Sequence, residues 1–188
     1  MKRVFISIEL PEYIKKEILK IQKEIDKLGL IKGKYTDPES LHLTLKFLGE
    51  ISDIEINAVK EHLQNIKFEP FYLEISSLDV FSEEFIKIVW LGVTQGRIFD
   101  LQKNVDFALE SLFQKENRFM GHITIARPKK VEQKEMFLDE LRKIKFNKLK
   151  FMVDKFNLME SILTSDGAVY KTLMEIPAKK EIAVIQNI

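Results

Sequence analysis

One short pattern, histidine-aliphatic-threonine-aliphatic, occurs twice in this chain, as His42-Leu43-Thr44-Leu45 and as His122-Ile123-Thr124-Ile125. In a β-strand successive side chains alternate between faces. Each copy therefore puts an imidazole and a hydroxyl on one face and two aliphatic groups on the other. The aliphatic face demands burial, so each strand must sit in a sheet with one covered side. The polar faces can then meet only across a cleft. The chain has three histidines, and two of them fall in this matching context.

The flanking sequence supplies the covering layers. Val4, Ile6 and Ile8 share one face of a first strand, and Pro11 suits the opening turn of a helix. Ile14, Ile18, Ile21, Ile25 and Leu28 follow at helical spacing, with Gly29 placed to end that helix. Asp37-Pro38 predicts a turn before the first histidine strand. Ser52 and Glu55 form a capping-box pattern ahead of a helix that buries Val59, Leu63 and Ile66. Residues 71–75 and 85–93 read as extended, and a third helix carries Ile98, Leu101, Val105, Leu109 and Leu112. The second histidine strand should end at Pro128, before a fourth helix with Phe137, Leu141 and Ile144. Two last strands are expected near 149–163 and 168–176, joined through the turn Ser165-Asp166-Gly167, with a loose tail from 177 to 188. This order predicts one α+β domain over residues 1–188, made of two similar halves with one histidine strand each.

Bulk properties narrow the function classes. Thirty basic and 29 acidic residues nearly cancel, so no global charge favours binding long nucleic acid. A substrate held at one or two phosphates needs no such charge. The absence of cysteine removes disulfides, thiol catalysis and thiolate metal sites. The apolar run after Met1-Lys2-Arg3 is cut short by Glu9 and Pro11, and no other stretch approaches membrane-spanning length. A soluble, cytoplasmic monomer with no membrane contact is the expectation.

Histidine, with an ordinary pKa of about 6.5, exchanges protons near neutrality. Hydrolysis of a phosphodiester needs water deprotonated on one side of phosphorus and the leaving oxygen protonated on the other. His42 and His122, one on each side, supply both. Thr44 and Thr124 can donate hydrogen bonds to the nonbridging oxygens, and Lys46 shares their face under strict alternation. Arg127 falls on the opposite face from His122 unless the strand bends or ends first. No carboxylate sits at ligand spacing beside either motif, so no metal and no cofactor is expected. A lone strand histidine is more often a hydrogen-bonded structural residue; the second copy is what favours catalysis. His62 reads as a surface helix residue, and Trp90 as core.

The motifs resemble those of the two-histidine (2H) phosphoesterases, and more narrowly of the bacterial and archaeal RNA 2′,3′-cyclic phosphodiesterases, also called 2′–5′ RNA ligases. The likeness runs through residues 5–11, Pro38 to Glu50, Val89 to Val93, Phe119 to Arg127, and Ser161 to Tyr170. Gly121 stands where the family has proline, Tyr35 where it often has tryptophan, and Lys87 where arginine is common. The resemblance implies two lobes related by an approximate twofold axis, with antiparallel sheets lining a central cleft and helices outside. It implies metal-independent opening of an RNA terminal 2′,3′-cyclic phosphate to a 2′-phosphate, with weak reversible 2′–5′ ligation. His42 and His122 are then the acid–base pair; the sequence does not assign the two roles, and the assignment taken here has His42 protonating O3′ and His122 activating water. Thr44, Thr124, Arg127 and Lys46 would hold the phosphate, and the partners would be RNA ends or small nucleotides bearing a cyclic phosphate. The alternative is a module that binds a nucleotide or RNA end without turnover.

Overall fold

In the computed structural model, which describes residues 1–94, 96–165 and 167–179, thirteen regular elements follow in order. They are β1 (Lys2–Glu9), α1 (Glu12–Lys27), β2 (Ile31–Tyr35), β3 (His42–Ile51), α2 (Asp53–Leu63), β4 (Phe71–Val80) and β5 (Val89–Val93). Then come α3 (Arg97–Ala108), β6 (His122–Val131), α4 (Lys134–Lys143), β7 (Leu149–Val153), β8 (Lys155–Leu163) and β9 (Ala168–Pro177), with a 3₁₀ turn at Pro38–Ser40 before β3. Residues 180–188 of the expected tail lie outside the described residues, as does Asp166 of the expected turn.

The strands form two antiparallel sheets, β3-β1-β8-β9 and β2-β6-β5-β4-β7. Their registers repeat. His42 faces Glu9 and Thr44 faces Ser7, which in turn faces Asn157 on β8. In the other sheet His122 faces Gly92 and Thr124 faces Trp90, which faces Asp79 on β4. The order β3-β1-β8-β9 therefore matches β6-β5-β4-β7, with β2 added at the β6 edge. The two histidine strands belong to different sheets and touch each other.

The helices cross over. α1 follows β1 of the first sheet but packs on β6 and β7 of the second, while α3 follows β5 of the second but packs on β3 of the first. Ile14, Ile18, Ile21 and Ile25 are buried on α1, and Ile98, Leu101 and Val105 on α3. Full burial of such a side chain contributes roughly 1.5–3 kcal/mol. α1 ends at Lys27 with Leu28 as its cap and Gly29 at a positive φ, and α2 opens on the complete Ser52–Glu55 capping box, both as the sequence predicts.

Four expectations are corrected. β2 was not anticipated, because Ile31-Lys-Gly-Lys-Tyr lacks apolar alternation; as an edge strand it needs none. The extended reading of 85–93 shortens to β5. The stretch 149–163 is two strands, since the chain leaves the second sheet at Val153 and enters the first at Lys155. β6 continues past Pro128 to Val131. Its pairing with β5 ends at Ala126, so the missing N–H breaks no bond on that side. On the other side Gly33 of β2 meets Pro128, where a Cβ would lie 2.4 Å from the Arg127 carbonyl oxygen. Only glycine permits that approach. The sequence halves are thus not the sheets in space: each sheet takes strands from both.

Candidate active site

A β-bulge in each histidine strand decides what reaches the cleft. In β3, Thr44 pairs with Ser7 but Lys46 pairs with the next residue back, Ile6, so Leu45 has no partner on β1. In β6, Thr124 pairs with Trp90 and Ala126 with Val89, so Ile125 is likewise passed over. The extra residue reverses the alternation beyond it. Lys46 and Ala126 turn to the buried side, and Phe47 and Arg127 turn back to the face of the histidines. The two strands show nearly the same burial pattern along their length.

The result is a cleft of about 670 Å³ between the sheets, lined by His42, Thr44, His122, Thr124 and Arg127 together. Arg127 reaches it through the bulge; the strand neither ends nor breaks at Pro128. Lys46 is the exception. It does not line the cleft, and its assignment as a phosphate ligand is corrected by the same bulge. Phe47, Phe81, Arg3 and Tyr170 also line the cleft and were not singled out as site residues. Phe47 had a readable signal, since it occupies in the first copy the position of Arg127 in the second.

Each imidazole is oriented in the same way. His42 Nδ1 lies 2.8 Å from the Ser40 carbonyl oxygen, and His122 Nδ1 lies 2.8 Å from the Met120 carbonyl oxygen. A carbonyl only accepts, so Nδ1 carries the proton and Nε2 is left for the cleft. Phe5 and Tyr170 pack against the His42 ring at 4.9 and 5.1 Å between centroids. Phe81 meets the His122 ring edge-on at 4.8 Å, backed by Trp90, which lies beside the site and is only half-buried. Burial pushes His42 down to about 4, and the Arg127 and His122 charges push the same way against the Ser40 hydrogen bond. His122 is lowered too, by burial first and then by Arg127, with the Met120 bond opposing. Both shifts favour the neutral imidazole over the imidazolium.

Behind the first sheet, the Lys46 ammonium contacts the Asp106 carboxylate and donates to the Gln114 carbonyl at 2.6 Å. Asp106 also accepts from Gln102 at 2.6 Å and from the Glu116 N–H at 3.0 Å. Burial alone would raise the Asp106 carboxyl; these donors outweigh it and hold the group below its usual range. Lys46 thus ties β3 to α3 and to the loop that leads to Met120 and His122. On the opposite side, Gln22 of α1 donates to the carbonyls of Thr36 and Ile125, at 2.9 and 2.8 Å. Ile125 is the bulged residue of β6. Gln22 and Gln102 sit in a second repeat, Ile18-x-x-Ile21-Gln22-Lys23-x-Ile25-Asp26 and Ile98-x-x-Leu101-Gln102-Lys103-x-Val105-Asp106, at the same separation as the two histidines. That repeat was the readable signal for both supports. Among the described residues no group of three or more His, Cys, Asp or Glu side chains is arranged to hold a metal, and no helix is long and apolar enough to cross a membrane.

Residues 8–90 and 91–170 each match the family described as LigT-like phosphoesterase. The chain is 30% identical over 177 residues to a Methanocaldococcus jannaschii protein named RNA 2′,3′-cyclic phosphodiesterase, covering 92% of this chain and 99% of that one. It is 31% identical over 175 residues to an Archaeoglobus fulgidus protein of the same name, covering 91% and 97%. Among solved structures, the Thermus thermophilus protein TT0787 matches with a TM-score of 0.78 at 22% identity, over 95% of this chain and 99% of that one. Escherichia coli LigT complexed with 3′-AMP matches with a TM-score of 0.74 at 21% identity, over 95% and 99%. These likenesses carry the two-sheet fold.

Proposed function

Because this chain belongs to the LigT-like phosphoesterase family, we propose that it hydrolyses the terminal 2′,3′-cyclic phosphate of RNA to a 2′-phosphate, without a metal. The observation that carries this reading is the meeting of two His-x-Thr strands, one from each sheet, in a single cleft with Arg127. The curated relatives named for this activity support it.

In this reading the cyclic phosphate sits between the imidazoles, its nonbridging oxygens accepting from Thr44, Thr124 and Arg127. His122 Nε2 takes a proton from water as its oxygen attacks phosphorus. The P–O3′ bond breaks, and O3′ takes the proton from His42 Nε2. The products are a 2′-phosphate and a free 3′-hydroxyl, and solvent resets the two rings. His42 is the harder ring to protonate in the empty cleft, so its proton must be held there by the phosphate anion. Run backwards with an RNA 5′-hydroxyl, the same exchange joins ends through a 2′–5′ bond, driven by the cyclic phosphate itself. Water at its bulk concentration keeps ligation the minor outcome. The working unit in this reading is a cytoplasmic monomer that acts on RNA ends or small nucleotides.

The test is phosphate-end analysis of a short RNA with a 2′,3′-cyclic end, incubated in EDTA with the protein and with His42→Ala and His122→Ala. A 2′-phosphate product is expected, with each variant slower by roughly 10²–10⁴. A 3′-phosphate product would reverse the leaving oxygen. No turnover, with nucleotide still bound, would leave a binding module.

A further inference from the structure

A second cavity, of about 500 Å³, opens beside the catalytic cleft and shares His42, Phe5 and Tyr170 with it as a common wall. The two spaces differ in charge. The charged side chains lining the cleft are Arg3 and Arg127, whereas those lining the side pocket are Glu9, Asp37, Glu39 and Lys15. Lys15 is paired with Glu12 at 2.8 Å and lies 3.9 Å from Glu39, so it offsets little of the acidic charge. Lys155, itself paired with Glu175, also acts on Glu9. A phosphate is drawn to the cleft and repelled from the pocket.

The pocket is nonetheless built for a polar guest. Glu9 stands directly across from His42 in register, so their side chains share a face. Ser7, the next residue on that face, lines the pocket and is 1% exposed, yet its hydroxyl has no hydrogen-bond partner among the described residues. Asn157, across from Ser7 on β8, is equally buried with both amide atoms unpartnered. Asn157 lines neither cavity, but leaving the Ser7 hydroxyl unmade at the pocket wall is unfavourable, which points to a polar guest there. Phe5 and Tyr170, set edge-to-face at 5.2 Å between centroids, give the guest an aromatic wall.

We propose that this pocket reads the 3′-terminal nucleobase, accepting hydrogen bonds from donor-bearing edges such as guanine N1–H and N2–H₂ while its cyclic phosphate lies in the cleft. This rests on the cyclic phosphodiesterase reading. The carboxylates favour guanine most, then the amino groups of adenine and cytosine. They disfavour uracil, whose single N3–H is flanked by two carbonyls that the carboxylates repel. The Glu9 carboxylate, beside His42, is the reader nearest the chemistry in register.

The experiment compares kcat/KM for the four nucleoside 2′,3′-cyclic monophosphates on the full chain and on Glu9→Gln, and measures the affinity of guanosine and uridine 2′-monophosphates by calorimetry. Guanosine is expected to exceed uridine by about tenfold in kcat/KM, within the range of one bidentate contact, and Glu9→Gln to bring the ratio close to one. Equal kcat/KM for all four bases, or a guanosine preference that survives in Glu9→Gln, overturns the base-reading pocket while leaving the phosphodiesterase intact. If none is hydrolysed, the RNA-end assay above decides the phosphodiesterase reading and calorimetry decides the pocket: a guanosine preference lost in Glu9→Gln upholds it, and equal or absent binding overturns it.

Discussion

Lys46 and Asp106 form an ion pair behind the first sheet, with 4% and 8% of their side chains exposed. A pair this buried gains little over an apolar substitute, but removing one partner strands the other charge. Lys46→Met should therefore lower folding stability by about 3–5 kcal/mol, read from urea denaturation. Lys46→Met combined with Asp106→Leu should recover most of it. A single variant as stable as the parent would show that Gln102 and the Glu116 N–H suffice for Asp106.

The pH dependence of turnover follows from the two depressed imidazoles. The reaction needs one ring protonated and one neutral, and kcat/KM reports the free enzyme. With both groups below 6.5 and His42 at about 4, the kcat/KM optimum should lie on the acid side of pH 6.5. The optimum for kcat should lie higher, because the bound anion favours the imidazolium. Arg127→Gln removes a charge that lowers both rings, so it should move the kcat/KM optimum upward while raising KM. Steady-state profiles of both proteins test this, and an unmoved optimum would sever Arg127 from the histidines.

Folding stability should also fall in mild acid. The His42 pKa is about 4 folded against 6.5 unfolded, so between those values the unfolded chain binds more protons. Stability is then lost as pH drops from above 6.5 through about 4, with no further contribution from His42 below that. Urea midpoints measured across this range should show a shallower slope for His42→Asn. Equal slopes would mean that other groups govern acid unfolding.

The two histidines can be told apart chemically. A cyclic substrate with sulphur in place of O3′ releases a thiolate, which needs no proton from an acid. Activity on it should return largely in His42→Ala and stay low in His122→Ala, measured by thiol release. The opposite pattern would exchange the two roles.

What the sequence discloses follows from where each property resides. His42, His122, Thr44 and Thr124 were readable because their chemistry lies in the residue types and their face in simple alternation. Lys46 was read onto the wrong face, and Arg127 reaches the cleft by a route other than the expected bend or strand end, both for one shared reason. A β-bulge is a property of the pairing between strands, and neither Leu45 nor Ile125 differs from an ordinary strand residue. The break at Asp154 was missed similarly, since residues on both sides suit a strand and only the packing of two sheets requires the step between them. Gly121 was visible as a departure from proline but not explained by sequence. A Cβ there would lie 2.6 Å from Val93 Cγ2, so the glycine and the valine are fitted to each other.

The crossing of α1 and α3 onto each other's sheets makes the two halves depend on each other. A free-standing half would hold one imidazole, one hydroxyl and a helix whose main strand partners lie in the other half. Two copies placed about a dyad would satisfy each other's helices and complete one catalytic centre between them. Residues 8–90 and 91–170 match the same family in succession, yet the two arms differ at the cleft, one having Phe47 where the other has Arg127.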